Sequence, residues 1–409
     1  MTFKNDKLYL LDFILNPKIL HSEVQDYVFE TSEGPVDITK LILSRSSFEG
    51  ISSKELAQQI NGRNKAKTKL PLWYQTRDIY YPPTINLEQT SSEVTAKYKS
   101  ELVSGDFLID ITGGLGIDDY YFSKKVSRVI HCELNAELSE IANHNFQVLG
   151  ATNIQTETGD GLVTLENLTK VDWIYIDPSR RHDSKGKVFF LEDCLPDVPT
   201  HLDFLLSKSD HILIKTSPLL DINAGIKSLR FVKEIHVVAV QNEVKELLWV
   251  IEKDHTNDIA IKTINLTKDG RQEFSFLYEE EKTSIPTISA PKKYLYEPNA
   301  AIMKSGGFLS ISKSFKIEKL HNHSHLYTSD TWIEFPGRSF EILQIIPYQK
   351  KNIKKANITK ANITTRNFPE TVSGIRKKFK IKDGGDTYLF FTTNSDNEKI
   401  VIVCNKPSY

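Results

Sequence analysis

Between residues 107 and 118 the chain reads Phe107-Leu108-Ile109-Asp110-Ile111-Thr112-Gly113-Gly114-Leu115-Gly116-Ile117-Asp118. An apolar run that ends in an acid and then meets three glycines lets the backbone turn sharply. It can then approach a ligand where a side chain would clash. The residues that follow suit the start of a helix, whose free amides would face that ligand. Glu133 closes the next apolar run, 23 positions after Asp110. An acid at that distance is placed to receive both hydroxyls of a ribose. Asp119 stands where a dinucleotide fingerprint would carry its third glycine. An adenosine without phosphates therefore fits better than NAD or FAD.

A second group is Ile174-Tyr175-Ile176-Asp177-Pro178-Ser179-Arg180-Arg181. An ionised aspartate can accept a hydrogen bond from an exocyclic amine, and the proline-fixed backbone offers a carbonyl to the same group. Such a pair would hold a nitrogen in line with an electrophile and act by positioning. Arg180 and Arg181 could stack on a base or clamp a phosphate, or could simply pair with surface acids. Asp160, between Gly159 and Gly161, is either a ligand-binding acid or an ordinary turn. Cys194 lies in Asp193-Cys194-Leu195-Pro196, which lacks the pattern of a catalytic nucleophile, and reads as a small buried residue. His321-Asn322-His323-Ser324-His325 has no carboxylate or cysteine at ligand spacing, so a polar loop and no metal are expected.

These residues need elements to place them. Apolar runs at 107–111, 128–132, 171–176, 211–214 and 235–240 each stop at Gly, Pro, Asp or Asn, with helical stretches such as 134–149 and 199–208 between them. That alternation predicts an α/β fold whose parallel sheet is covered on both faces. A late strand at 246–251, antiparallel to its predecessor, and a hairpin over 259–278 turning at Asp269-Gly270 should follow. Residues 1–87 show helical spacing: Leu8, Leu11, Ile14 and Leu15 share one face, and Val24, Tyr27 and Val28 another. Ser52-Ser53-Lys54-Glu55 offers a capping box, Asn61-Gly62-Arg63 should stop that helix, and Tyr80-Tyr81-Pro82-Pro83 should form an extended linker. Beyond 278, a helix at 298–304, short strands at 339–345, 357–359, 388–392 and 400–404, and a basic helix at 369–379 are expected.

A chain of 409 residues with 39% hydrophobic and 26% charged positions fits a multidomain globular protein. No apolar run could span a membrane. The N-terminal residues read as a helix rather than a signal peptide, since no small-residue cleavage site follows. Three widely spaced cysteines exclude a disulfide framework and a zinc ribbon, and fit a reducing cytoplasm. The net charge of −1 conceals a basic tail: from Thr331 onward 14 Lys and Arg face 7 Asp and Glu, a net +7. An anionic partner at that end and a solvated lysine face are both compatible with this.

The glycine segment resembles motif I of class I methyltransferases, with Glu133 similar to their ribose-binding acid and Asp160 to the acid that receives the adenine amino group. Asp177-Pro178 resembles the Asp-Pro-Pro motif of amino-methylating enzymes, although Ser179 and Arg180 replace its second proline and its aromatic. The segment 88–92 is placed like the one that closes over the methionine end of the cofactor. The C-terminal stretch, with 360–369 and 382–386, resembles the THUMP-like domain of a bacterial methyltransferase family, and 297–301 resembles the ferredoxin-like insert of that family. The resemblance implies a Rossmann-like class I methyltransferase sheet with a helical N-terminal domain and small α+β C-terminal domains. Their expected bounds are 1–87, 88–270, 271–329 (ferredoxin-like) and 330–409 (THUMP-like). It implies S-adenosylmethionine as cofactor, held by Gln89, Asp110, Thr112, Gly113, Gly114, Gly116, Asp118, Glu133 and Asp160. Asp177, Pro178, Arg180 and Arg181 would be the catalytic group. RNA, tRNA first, would be the partner of the basic tail. A small-molecule or protein acceptor, or a silent module that binds cofactor and RNA, are the alternatives.

Overall fold

The computed structural model describes residues 15–180 and 190–407. The expected face at Leu8, Leu11 and Ile14 therefore lies outside the described residues. The chain divides into two compact units, Met1–Lys215 with Ile251–Lys253, and Thr216–Val250 with Asp254–Tyr409.

The first unit begins with helices α1 (Ser22–Ser32), α2 (Ile38–Leu43), α3 (Ser53–Lys69), α4 (Pro71–Gln75), α5 (Thr84–Gln89) and α6 (Glu93–Ser100). Ser52 caps α3 through the Glu55 amide, and the Glu55 carboxylate reaches back to the Ser52 amide, completing the expected capping box. The helix does not stop at Gly62. It runs on because the glycine lies under Tyr81: a Cβ there would stand 2.4 Å from the Cβ of Tyr81. Glycine here makes room for a neighbour and breaks nothing.

Tyr80 and Tyr81 lie in an extended stretch, as expected, and both are buried. Two side-chain amides replace the backbone partners that this extended stretch lacks. Asn145 accepts from the Tyr80 amide and donates to its carbonyl, and Gln59 does the same for Tyr81. The two tyrosines belong to one apolar cluster with Leu56, Trp73, Ile117, Leu138 and Ile141.

Five strands of this unit, β1 (Phe107–Asp110), β2 (Arg128–Glu133), β3 (Ile154–Thr158), β4 (Trp173–Ile176) and β7 (His211–Thr216), pair in parallel in the order β7-β4-β1-β2-β3. All four β4 residues are buried, as a sheet covered on both faces requires. Helices α7 (Ile117–Phe122), α8 (Ala136–Val148), α9 (Gly161–Glu166) and α10 (Val198–Lys208) make the crossovers. Two short strands, β5 (Ser179–Arg180) and β6 (Cys194–Leu195), form a ribbon beyond β4. Cys194 is buried, its thiol on the Phe190 carbonyl.

The second unit opens with β8 (Val232–Val240) and its neighbour β9 (Glu243–Glu252), joined by Gln241 and Asn242 in left-handed backbone as a tight hairpin requires. Strands β10 (Ala260–Thr267) and β11 (Gly270–Leu277) form the expected hairpin. A separate seven-stranded sheet follows, from β12 (Tyr294–Pro298), β13 (Glu318–Lys319), β14 (Tyr327–Ser329), β15 (Gly337–Pro347), β16 (Asn362–Thr365), β17 (Thr387–Thr393) and β18 (Lys399–Asn405), in the order β13-β14-β12-β15-β18-β17-β16. Two expectations shift here. Pro298 ends β12, and the helix runs over Ala300–Ser305 from an Asn299 cap. Residues 357–359 are not a strand; the edge strand is the second Asn-Ile-Thr copy, which pairs in parallel with β17. Buried Glu297 receives both Arg338 and Arg366, so two of the tail's cations are internal ties.

Candidate active site

The ends of β1, β2 and β4 come together around the glycine loop. Asp110 is almost fully buried and accepts from the Thr112 amide at 2.7 Å and the Thr112 hydroxyl at 3.0 Å. Burial, and then the neighbouring Asp119, push its carboxyl well above the usual range. The loop folds back so that the Gly113 amide bonds the Cys132 carbonyl at 2.7 Å, tying it to the end of β2.

The glycines have distinct jobs. A Cβ on Gly113 would lie 2.3 Å from the His131 ring, and one on Gly116, whose φ is +70°, would lie 2.1 Å from Phe146. Those two accommodate the protein's own aromatic floor. Gly114, with φ +57°, meets nothing closer than 3.9 Å and presents the open side of the loop. Its amide bonds Glu133 Oε2 at 2.8 Å, and Glu133 Oε1 accepts from the Asn135 amide at 2.7 Å. Asp160 is exposed, capping α9 through the Leu162 amide, with Gly161 hard against the Ile111 backbone.

Asp118 faces inward. Its Oδ2 accepts from Ser91 and from the Tyr175 hydroxyl, each at 2.8 Å, and the buried Lys99 ammonium lies 3.2 Å from its Oδ1. The 88–92 segment thus reaches this cluster through Ser91, whereas Gln89 ends α5 exposed to solvent. Beneath the loop, Asp119 Oδ2 and His131 Nδ1 are 2.5 Å apart and both residues are fully buried. Burial raises the Asp119 carboxyl and lowers the His131 imidazole.

Asp177 follows β4 with its carboxylate partly open and Pro178 buried behind it. Its amide donates to the Thr112 hydroxyl at 2.7 Å. Its Oδ2 is ion-paired with Lys215, near the end of β7. Among the described residues nothing donates to its Oδ1. Arg180 joins β5 through the backbone, and Arg181 lies outside the described residues.

Sequence spacing did not single out Lys99, Tyr175, His131 or Lys215. The available signals were a histidine inside the apolar run 129–132 and a lysine ending another. No group of side chains able to hold a metal occurs among the described residues.

Two family models match the C-terminal part: a ferredoxin-like domain at 294–336 and a THUMP domain-like model at 337–406. A solved structure described as "putative methyltransferase from Porphyromonas gingivalis W83" is 33% identical, covers 96% of this chain and 99% of its own, and superposes with a TM-score of 0.86. A methyltransferase from Geobacter sulfurreducens (16% identity, 40% of this chain and 78% of that one) has a TM-score of 0.30. TrmK of M. capricolum in complex with S-adenosyl-homocysteine (15% identity, 40% and 70%) also scores 0.30. At that level the last two say nothing of activity. None of the curated proteins matches the chain.

Proposed function

The chain belongs to the methyltransferase family that carries a ferredoxin-like segment and a THUMP-like domain, and on that premise we propose that it methylates a base nitrogen of structured RNA, tRNA first. The observation that carries the reading is the Thr112 hydroxyl, which fixes Asp177 and the glycine loop to one another. S-adenosylmethionine is the proposed methyl donor, supplying an electrophilic methyl on its sulfonium. The donor set suits it: Gly114 leaves open space, Glu133 offers a carboxylate beside that space, and Asp160 offers another. No nest of free amides for a pyrophosphate is needed. Thr112, Gly113 and Gly116 shape the loop, and Asp110 and Asp118 brace it from within. Asp177 Oδ1 and the Pro178 carbonyl would receive the hydrogens of the acceptor nitrogen and aim its lone pair.

The proposed division of labour assigns transfer to residues 88–270 and RNA capture to 330–409, flanked by 1–87 and 271–329. Exposed lysines at 350, 351, 354, 355 and 377 support phosphate contact. A cytoplasmic setting suits three buried free thiols. Among the described residues no helix is long and apolar enough to cross a membrane.

The test is methyl transfer from tritiated S-adenosylmethionine to total tRNA and rRNA taken from a strain lacking the gene. Label in one RNA fraction, lost with Asp177→Ala, is the expected result. Absence of label, with cofactor binding intact by calorimetry, would turn the reading toward a small-molecule or protein acceptor.

A further inference from the structure

The proposed mechanism uses Asp177 but gives no role to the cation bound to it. Lys215 stands near the end of β7, one strand along from β4, and its ammonium pairs with Asp177 Oδ2. The lysine side chain is 13% exposed and the aspartate 36%, so the pair is shielded on the lysine side and open on the acid side. The Asp177 amide is held by Thr112. Asp177 is therefore held at its backbone amide and at Oδ2, and among the described residues nothing donates to Oδ1.

The geometry points to Lys215 as a positioning residue that holds the Asp177 carboxylate and cancels its charge, so that the site takes an uncharged N–H donor as methyl acceptor. This rests on the reading of Asp177 given above. A lone carboxylate would draw a protonated amine, which has no lone pair to attack a methyl. An ammonium already seated on Oδ2 repels such a group, since like charges held close together where water is partly excluded oppose each other. A neutral amide-like or exocyclic nitrogen of a planar base can donate to Oδ1 without that repulsion, and the proton it loses on becoming methylated can pass through Oδ1 to solvent. The acceptor class is thus a neutral N–H nitrogen of a planar base, exocyclic or in the ring, and not an alkylamine.

The experiment compares full-length Lys215→Met, Lys215→Arg and Asp177→Asn with the wild type. Each receives tritiated S-adenosylmethionine and the RNA of the gene-deleted strain. Lys215→Met should lower kcat by about 10- to 100-fold through poorer alignment, with KM for RNA changed less than about 3-fold. S-adenosyl-homocysteine affinity by calorimetry should stay within about 2-fold, and Lys215→Arg should recover most of the rate. Crystals of Lys215→Met should show the Asp177 carboxylate turned from its wild-type rotamer. If Lys215→Met keeps its kcat while Asp177→Asn loses it, the Lys215 assignment is overturned and the Asp177 reading stands. If both variants stay active, the Asp177 reading is overturned as well. If wild type labels no RNA, an unturned carboxylate in the Lys215→Met crystals still overturns the assignment. If Lys215→Met fails to fold by circular dichroism, Lys215→Gln replaces it, and its retention of the wild-type rate would count equally against the assignment.

Discussion

The Thr112 hydroxyl and the Asp177 amide are 2.7 Å apart, and the same hydroxyl donates to Asp110 Oδ1 at 3.0 Å. One oxygen therefore couples the end of β1 to the end of β4. Valine has the same shape and can make neither bond. Thr112→Val should cost about 1–3 kcal/mol in urea unfolding, because the Asp177 amide loses its partner. Its affinity for S-adenosyl-homocysteine should fall too, while Thr112→Ser stays near wild type. Unchanged stability and affinity in the valine variant would remove the coupling from the mechanism.

The two adjacent glycines should respond differently to alanine. At position 113 a methyl would collide with the His131 ring, which is walled in on all sides. At position 114 the methyl has space and the cost is the left-handed backbone, about 1–2 kcal/mol. Gly113→Ala should therefore lower the melting temperature more than Gly114→Ala. The reverse order by scanning calorimetry would contradict the packing described beneath the loop.

Asp110 gives a pH dependence whose sign can be worked out. Its folded carboxyl titrates well above its unfolded value of 3.8, so folding favours the protonated form. The associated stability is present below the unfolded value and is lost as pH rises through the folded one. Asp110→Asn mimics the protonated acid at all pH values. Its melting temperature relative to wild type should rise as pH increases above the unfolded value of 3.8. A difference that is flat or that falls would show the carboxyl to be ionised throughout.

The basic tail makes a prediction about salt. Arg338 and Arg366 are paired to Glu297 of the ferredoxin-like segment and Arg376 and Lys378 to acids of the tail itself, whereas lysines 350, 351, 354 and 355 are exposed. Replacing those four with alanine should weaken binding to total tRNA and reduce the slope of log affinity against log salt by about one for each phosphate left without its lysine. Replacing Arg366 should instead lower stability. An unchanged slope in the four-lysine variant would place RNA elsewhere or nowhere.

Gly62 shows where sequence reading failed and offers its own test. In isolation a glycine weakens a helix by about 1 kcal/mol relative to alanine, which is why Asn61-Gly62-Arg63 reads as a stop. The structure keeps α3 intact through it because Tyr81, distant in sequence, occupies the space of the missing side chain. Gly62→Ala should thus destabilise by about 1–3 kcal/mol despite its better helix propensity. A stabilised variant would show that Tyr81 can move aside.

Local patterns were readable where local physics decides them. The capping box at Ser52, the alternation of β1 to β4 with their helices, and the acids at strand ends were all visible as one-dimensional patterns. Pairings made across the fold left no such trace. Lys215 reaches Asp177 from 38 positions away, and Ser91 and Tyr175 meet on Asp118 from separate elements. The Asn-Ile-Thr repeat is a case where the sequence offered two equal strands and only the parallel pairing with β17 chose between them.

The join between the ferredoxin-like and THUMP-like segments falls at residue 337, yet β12 on one side of it pairs along its whole length with β15 on the other. Neither segment could be deleted, swapped or expressed alone without baring the flank of a strand, a surface that invites aggregation. The two would therefore be inherited, and would melt, as a single piece of the molecule.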